Sequence, residues 1–211
     1  MNLGALKDDY DQMQAQYGAP HLHSIYFGGC VHHPKLCLVF MNPTARNIAT
    51  RLEWPGIRAP WVGTKNVWNF FARIGVISSE IHAQIQAIKG TDWTPEFAQA
   101  VYNDVARRGV FITNLAKCAQ IDARPLPDAV FEQYRAHLLR ELQIVQPKSV
   151  VLFGNQVSSI ILRQKISVSQ CRQIKFAQDG QSFWPVFYPV GNGFMNIDKA
   201  VEDVLAISDN Q

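Results

Sequence analysis

The chain of 211 residues is 47% hydrophobic and carries a formal charge of +3 at neutral pH. This size and composition provide for one substantial core, so we expect a single domain over residues 1–211. No window approaches the roughly 18 apolar residues of a membrane-spanning helix, and the amino terminus lacks the basic and then apolar order of a secretory signal, which together predict a cytoplasmic protein.

Apolar runs of strand length alternate with helical patterns along the chain. In residues 5–17, Leu6, Tyr10 and Tyr17 recur at helical spacing, and Gly18 ends the pattern. The four strand-length runs that follow are 36–41, 109–113, 149–153 and 183–188. Runs this apolar are typical of strands buried on both faces. The fourth contains Pro185, which predicts an edge strand because proline cannot donate to a ladder.

Helical patterns separate these runs. The clearest is 128–145, with one apolar face and with Asp128 as the predicted cap. The other helices are predicted over 64–74, 94–107, 155–162 and 196–207. The alternation predicts a three-layer α/β/α fold with a central, mostly parallel four-stranded sheet, whose ligands bind beyond the carboxyl ends of the strands. The irregular segment 44–63 follows the first strand directly, and loops of that length are often functional.

Asparagines occur at or after the ends of the predicted strands. They are Asn42, Asn114, Asn155 and Asn192. A carboxamide offers one acceptor and two donors, so it can hold a water molecule or read the edge of a base. Asparagine is also a common turn and cap residue, so a purely structural role stays open for each of them.

The block Phe40-Met41-Asn42-Pro43-Thr44 resembles the first motif of the uracil-DNA glycosylase superfamily. It is most similar to the Asn-Pro form of the mismatch-specific and single-strand-selective uracil glycosylases. The resemblance implies that Asn42 positions the water that attacks the sugar, and that Met41 and Thr44 lie beside the base. Phe40 and Thr44 replace the glycines that usually flank this motif.

The block Val110 to Cys118 looks very like a strand and turn of the thermostable iron-sulfur branch. The resemblance continues through Arg124-Pro125 and residues 146–154, and it implies that Asn114 reads the uracil edge. Pro60-Trp61-Val62-Gly63 is similar to the segment whose aromatic residue stacks on the extruded base. Trp61 is therefore the expected stacking surface, although a plain core role stays open for it.

Two features depart from the family pattern. Tyr188-Pro189-Val190 stands where active members have a His-Pro-Ser or Asn-Pro-Ser type motif, so the resemblance places Tyr188 as the residue that stabilises the leaving base. Cys118 is at one cluster-ligand position, but Tyr134 is at another, so we predict no iron-sulfur cluster and no other cofactor.

A zinc site formed by Cys30, His32, His33 and Cys37 is not favoured, because Cys37 opens a buried strand and the spacing matches no common structural site. The four cysteines of the chain are expected to remain free thiols.

Several residues are predicted to contact DNA. Arg46, Arg51, Arg58 and Lys65 lie in or beside the long loop, where phosphate contact and ordinary solvation are both open. The other expected contacts are Asn155, Gly191, Asn192 and Gly193, the glycines because their backbone can approach a phosphate closely. Phe194 or Met195 could wedge into a base step.

The sequence therefore predicts a monomeric glycosylase that hydrolyses the N-glycosidic bond of uracil or a related damaged pyrimidine in DNA. Two alternatives stay open. One is a catalytically weak or inactive base-binding or nucleic-acid-binding protein of the same fold, because the fourth motif is altered. The other is a hydrolase of free nucleosides or other small N-glycosides, which the modest positive charge does not exclude.

Overall fold

The computed structural model of the chain describes residues 2–123 and 126–209, with Asn192 described by its backbone alone. Its helices and strands, in chain order, are α1 (Ala5–Tyr17), β1 (Phe27–Gly29), β2 (Leu36–Phe40), α2 (Asn66–Arg73), α3 (Ser79–Ala87), α4 (Pro95–Arg107), β3 (Val110–Asn114), α5 (Asp128–Val145), β4 (Ser149–Phe153), α6 (Asn155–Leu162), β5 (Phe176–Gln178), β6 (Gln181–Val186) and α7 (Ile197–Asp209). Short 3-10 turns occur at Ile48–Thr50, Gly90–Asp92, Val168–Gln170 and Gly191–Asn196. No described helix is both long and apolar enough to cross a bilayer.

A six-stranded sheet forms the centre of the protein, in the order β1-β3-β2-β4-β6-β5. The four inner strands run parallel, as the sequence predicts, and helices cover both faces. Two short antiparallel strands, β1 and β5, extend the edges beyond the four predicted strands. Each has three half-buried or exposed residues, too few to produce a readable hydrophobic pattern.

The presence of Pro185 predicted that its strand, β6, lies at the edge of the sheet, and this prediction is wrong. β6 pairs with β4 on one side and with β5 on the other. The β5 ladder stops at Phe183, so Pro185 lies beyond it and faces a strand on one side only. This position tolerates a residue without an N–H.

Most predicted helices agree closely with the observed ones, and α1, α5 and α6 have the predicted bounds. The sequence analysis missed α3, which buries only Ile85 and therefore has almost no apolar stripe. The expected cap at Asp128 is also wrong. Pro127 precedes α5, and the Asp128 carboxylate in the first turn accepts a hydrogen bond from Gln156 Nε2 at 2.7 Å.

The two faces of the sheet carry separate cores. The first face, with Leu38, Phe40 and Ile112, packs against α2, α3, α4 and α7. The second face, with Cys37 and Phe111, packs against α1, α5 and α6. Because side chains alternate along a strand, every other residue of each parallel strand belongs to the same core.

A fully buried ionic cluster ties the second face together. The Lys117 ammonium lies 2.7 Å from Glu141 and donates to the Asn114 carbonyl at 2.7 Å and to Thr113 Oγ1. Tyr10 and Thr113 donate to the same Glu141 carboxylate at 3.1 and 2.8 Å. Burial lowers the pKa of Lys117, and the carboxylate of Glu141 opposes that shift. The cluster joins α1, α5 and the turn after β3.

Replacing Lys117 with methionine removes one partner of this pair and leaves the Glu141 carboxylate buried without its cation. We expect Lys117→Met to lose about 3–5 kcal/mol of unfolding free energy. The double variant with Glu141→Leu recovers part of that loss, because no uncompensated charge remains. Urea unfolding measures both, with exposed Arg140→Gln as the control, and an unchanged midpoint for Lys117→Met would contradict this account.

Candidate functional site

The ends of β2 and β3 bring Asn42 and Asn114 to the same edge of the sheet. Phe40, the last residue of β2, is the register partner of Asn114, the last residue of β3. The pairing continues past both strands, since Ala116 N donates to Met41 O at 2.9 Å. Asn42 therefore follows directly at the carboxyl edge where Asn114 ends its strand, as the motif order predicts.

Aromatic rings gather around Phe40 on the first face of the sheet. The Phe40 ring meets Trp61 edge to face at a centroid distance of 5.0 Å and Tyr188 at 6.0 Å. It also stacks on Phe153 at 4.4 Å. Register partners on adjacent parallel strands point to the same face, so the Asn114 side chain shares this face with Phe40.

Two donors at this edge are buried without a partner among residues 2–123 and 126–209. They are Nδ2 of Asn114, whose residue is 2% exposed, and Nε1 of Trp61. Leaving a buried donor unsatisfied is costly, and such groups usually have a ligand or water to bind. Asn42 differs, because its Nδ2 donates to Pro43 O at 3.1 Å and its Oδ1 remains as the acceptor.

A model of the uracil DNA glycosylase superfamily matches residues 27–195, which is most of the chain. The chain belongs to this superfamily. The resemblance expected from the sequence is thereby confirmed, together with its α/β fold. Membership supports a glycosylase-type hydrolase that acts on DNA. Arg124 and Pro125, which belong to the resemblance, lie outside the described residues.

Tyr188, which the sequence resemblance places at the fourth motif, borders the aromatic cluster. Burial raises the pKa of its phenol, so the hydroxyl stays protonated at neutral pH and is a hydrogen-bond donor. Two glycines are neighbours of Tyr188, and one of them lies close against its backbone. Gly154, at φ +92°, lies beside its Cβ, and a side chain at Gly193 would clash with its carbonyl oxygen.

Met41 does not contribute its side chain to this face. It packs against the second core, so its predicted contact with the base gains no support from the packing of the side chain and stays a prediction. The reason is the alternation along β2, which sends Phe40 and Met41 to opposite faces. Thr44 is half-buried and bridges Gln120, and it carries the first backbone N–H after Asn42 because Pro43 has none.

The predicted basic contacts separate into committed and free side chains. The Arg58 guanidinium binds Asp11 at 2.9 and 3.0 Å and stacks on the Tyr26 ring at 4.1 Å, so an internal ion pair replaces the predicted phosphate contact. Lys65 Nζ donates to Gln86 O at 2.8 Å, at the end of α3. The side chains of Arg46 and Arg51 are exposed and contact no acidic group in the part of the chain that is described.

The remaining predicted DNA contacts lie after β4 and β6. Asn155 Oδ1 accepts from Val168 N at 2.9 Å and fastens a loop, which is a structural role. Gly191, at φ +59°, has open space where a side chain would be, whereas the Asn192 side chain lies outside the described residues. In the same turn, Phe194 and Met195 are 60% and 90% exposed.

The cysteines do not fit the four-thiolate cluster of the iron-sulfur branch. Cys118 and Tyr134 are neighbours in the second core, and burial raises the pKa of both side chains. Tyrosine thus fills a position that a cluster would need for a thiolate. Within the described ranges, no three His, Cys, Asp or Glu side chains are close enough to hold a metal ion.

The sequence analysis did not identify Phe40 or Lys117 as important for the site. Phe40 forms the aromatic contact between Trp61 and Tyr188, and Lys117 holds the Asn114 carbonyl from the opposite face. A signal existed for each. Phe40 is a large aromatic residue at a motif position usually held by glycine, and Lys117 is a lone charge within the apolar stretch 115–119.

Gly193→Ala places a methyl group against the Tyr188 carbonyl, a contact with backbone that no side-chain rotation relieves. We expect a loss of about 2 kcal/mol or more, together with faster amide hydrogen exchange across 188–196. Gly191→Ala is the matched control, because it adds only left-handed strain of about 1 kcal/mol in open space. Equal effects of both variants on thermal melting would argue against the close contact.

Proposed function

We propose that the chain hydrolyses the N-glycosidic bond of uracil, or of a related damaged pyrimidine, in DNA. The observation that carries this proposal is the placement of Asn42, Trp61, Asn114 and Tyr188 around one carboxyl edge of the sheet. In a member of the uracil DNA glycosylase superfamily, each of these side chains offers the contact that one part of the reaction needs.

Asn114 and Trp61 provide the recognition of the base. The carboxamide of Asn114 donates to O4 and accepts from N3–H, a pattern that uracil presents and cytosine reverses. The unpartnered Nδ2 supports this role, because a carbonyl oxygen of the base would satisfy it. The Trp61 ring provides a stacking surface for the flipped base, worth about 1–3 kcal/mol.

Asn42 and Tyr188 act on the bond that breaks. The Oδ1 of Asn42, the acceptor of this carboxamide, orients a water molecule toward C1′. The C1′–N1 bond breaks with its electron pair on the base, the water oxygen forms the new bond, and the released proton passes to solvent. The Thr44 N–H and the protonated Tyr188 hydroxyl donate to the anionic base, where negative charge develops.

The surroundings of the site suit a flipped nucleotide. Phe194 and Met195 project from the turn after β6, where an apolar side chain can enter the space that the extruded base leaves. Arg46 and Arg51 are exposed and are available to the phosphates on the side of the long loop.

The first test is release of uracil from single-stranded and G:U duplex DNA. We expect abasic product, with kcat lowered about 100-fold or more in Asn42→Ala and about 100-fold in Tyr188→Phe, because each removes one group that acts on the breaking bond. Asn103→Ala, an exposed change on α4, is the control.

Three outcomes would contradict the proposal. Absence of product from both DNAs excludes the glycosylase, and tight binding without turnover then favours a base-binding protein. Full activity of Asn42→Ala removes the water-positioning role. Release of uracil from free deoxyuridine, with no preference for DNA, indicates a hydrolase of small N-glycosides.

DNA binding is expected to weaken with salt according to the number of phosphates contacted. Arg46→Gln and Arg51→Gln should each reduce the slope of log K against log salt concentration by about 0.9 on duplex DNA. Arg140→Gln, which removes an exposed charge from α5, should leave the slope unchanged. The titration is run with fluorescently labelled DNA, and equal slopes for all variants would exclude these arginines from the interface.

A further inference from the structure

Residues 57–61, which lead into the site, have an unusual hydrogen-bonding pattern. Every carbonyl in this segment accepts a hydrogen bond from a donor outside it. The pairs are Trp54 Nε1 to Ile57 O at 3.1 Å, Tyr26 N to Arg58 O at 2.7 Å, Asn47 Nδ2 to Ala59 O at 2.8 Å, Tyr102 Oη to Pro60 O, and Trp68 Nε1 to Trp61 O at 3.1 Å. Four of the five donors are side chains, and the fifth is the backbone amide of Tyr26.

Trp61 needs this support because its backbone is left-handed, with φ +69°. A bulky residue rarely adopts this conformation unless the surrounding structure imposes it. The Trp61 carbonyl accepts two further bonds, from Thr64 N at 3.2 Å and Thr64 Oγ1 at 2.7 Å. These bonds fix the backbone from which the Trp61 ring projects.

Two of the donors come from fully buried rings that do not border the base site. Tyr102 lies on α4, is 3% exposed, and packs so closely on Gly28 that a side chain there would clash. Burial raises the pKa of Tyr102, which keeps its hydroxyl as a donor. Trp68 lies on α2 and is completely buried.

We propose that Tyr102 and Trp68 are positioning residues that hold Trp61 ready to receive the base before DNA binds. This inference rests on the proposed function of Trp61 as the stacking surface. Without this support, the Trp61 ring in the long segment 44–63 would have to become ordered when DNA binds. That loss of conformational freedom would lower the affinity for DNA. Fixing the carbonyls of 57–61 in the free protein removes this cost.

The test removes single donors to 57–61 and compares the variants with matched changes in Tyr134 and Trp93, which donate to no carbonyl of that segment. Tyr102→Phe deletes the hydroxyl on Pro60, and Tyr134→Phe deletes a buried hydroxyl that has no nitrogen or oxygen partner among the described residues. Trp68→Phe and Trp93→Phe form the second pair, since the buried Nε1 of Trp93 likewise has no partner there.

We expect Tyr102→Phe and Trp68→Phe to raise KM for uracil-containing single-stranded DNA about tenfold while kcat changes less than threefold. Amide hydrogen exchange at 59–64 should also quicken at least tenfold in the free protein. Tyr134→Phe and Trp93→Phe should change neither quantity, and thermal melting checks that all four variants fold.

Unchanged exchange at 59–64 in both Tyr102→Phe and Trp68→Phe would overturn the inference, as would equal rises in KM in the variants and their controls. Exchange is measured without substrate, so it decides the positioning role even if the protein releases no uracil. In that case the proposed function fails while the hold on Trp61 stands. If one variant does not fold, the other pair decides.

Discussion

The site depends on the parallel register between β2 and β3. Pairing Phe40 with Asn114 sets both side chains on one face and makes Asn42 the next residue of that face beyond the strand. A slip by one residue would turn Phe40 to the second core and Met41 to the first. The register is stabilised on both sides, by the apolar first core and by the Lys117 contact to the Asn114 carbonyl.

Phe40 gives this superfamily member an arrangement of its own. Its ring fills the space among Trp61, Phe153 and Tyr188, where the family motif usually has the smallest residue. Phe40 and Tyr188 both depart from the residues expected in the family motifs, and the two bulky side chains are also neighbours in space. The aromatic cluster connects the proposed stacking surface to the proposed leaving-group donor, so a change in one ring alters the packing of the others.

The sequence predicted the parallel sheet, six helices within two residues and the position of Asn42 and Asn114 at one edge of the sheet, because continuous apolar strands and motif order are local signals. It did not predict how side chains are used. Arginine is a residue type that commonly binds phosphate, but the guanidinium of Arg58 instead donates to the carboxylate of Asp11, 47 residues earlier in the chain. Asn155 fastens Val168 for the same kind of reason. Such partners are set by tertiary packing, which spacing along the chain does not encode.

The buried pair of Lys117 and Glu141 and the exposed arginines respond differently to dissolved salt. Counter-ions screen exposed arginines such as Arg46 over about 8 Å at physiological ionic strength, but they have no access to a pair with zero exposure. Rising salt therefore weakens any contact between these arginines and a polyanion, while the backbone that carries Asn114 stays in place. The contacts that exposed arginines can make and the geometry at Asn114 thus respond to the ionic medium separately.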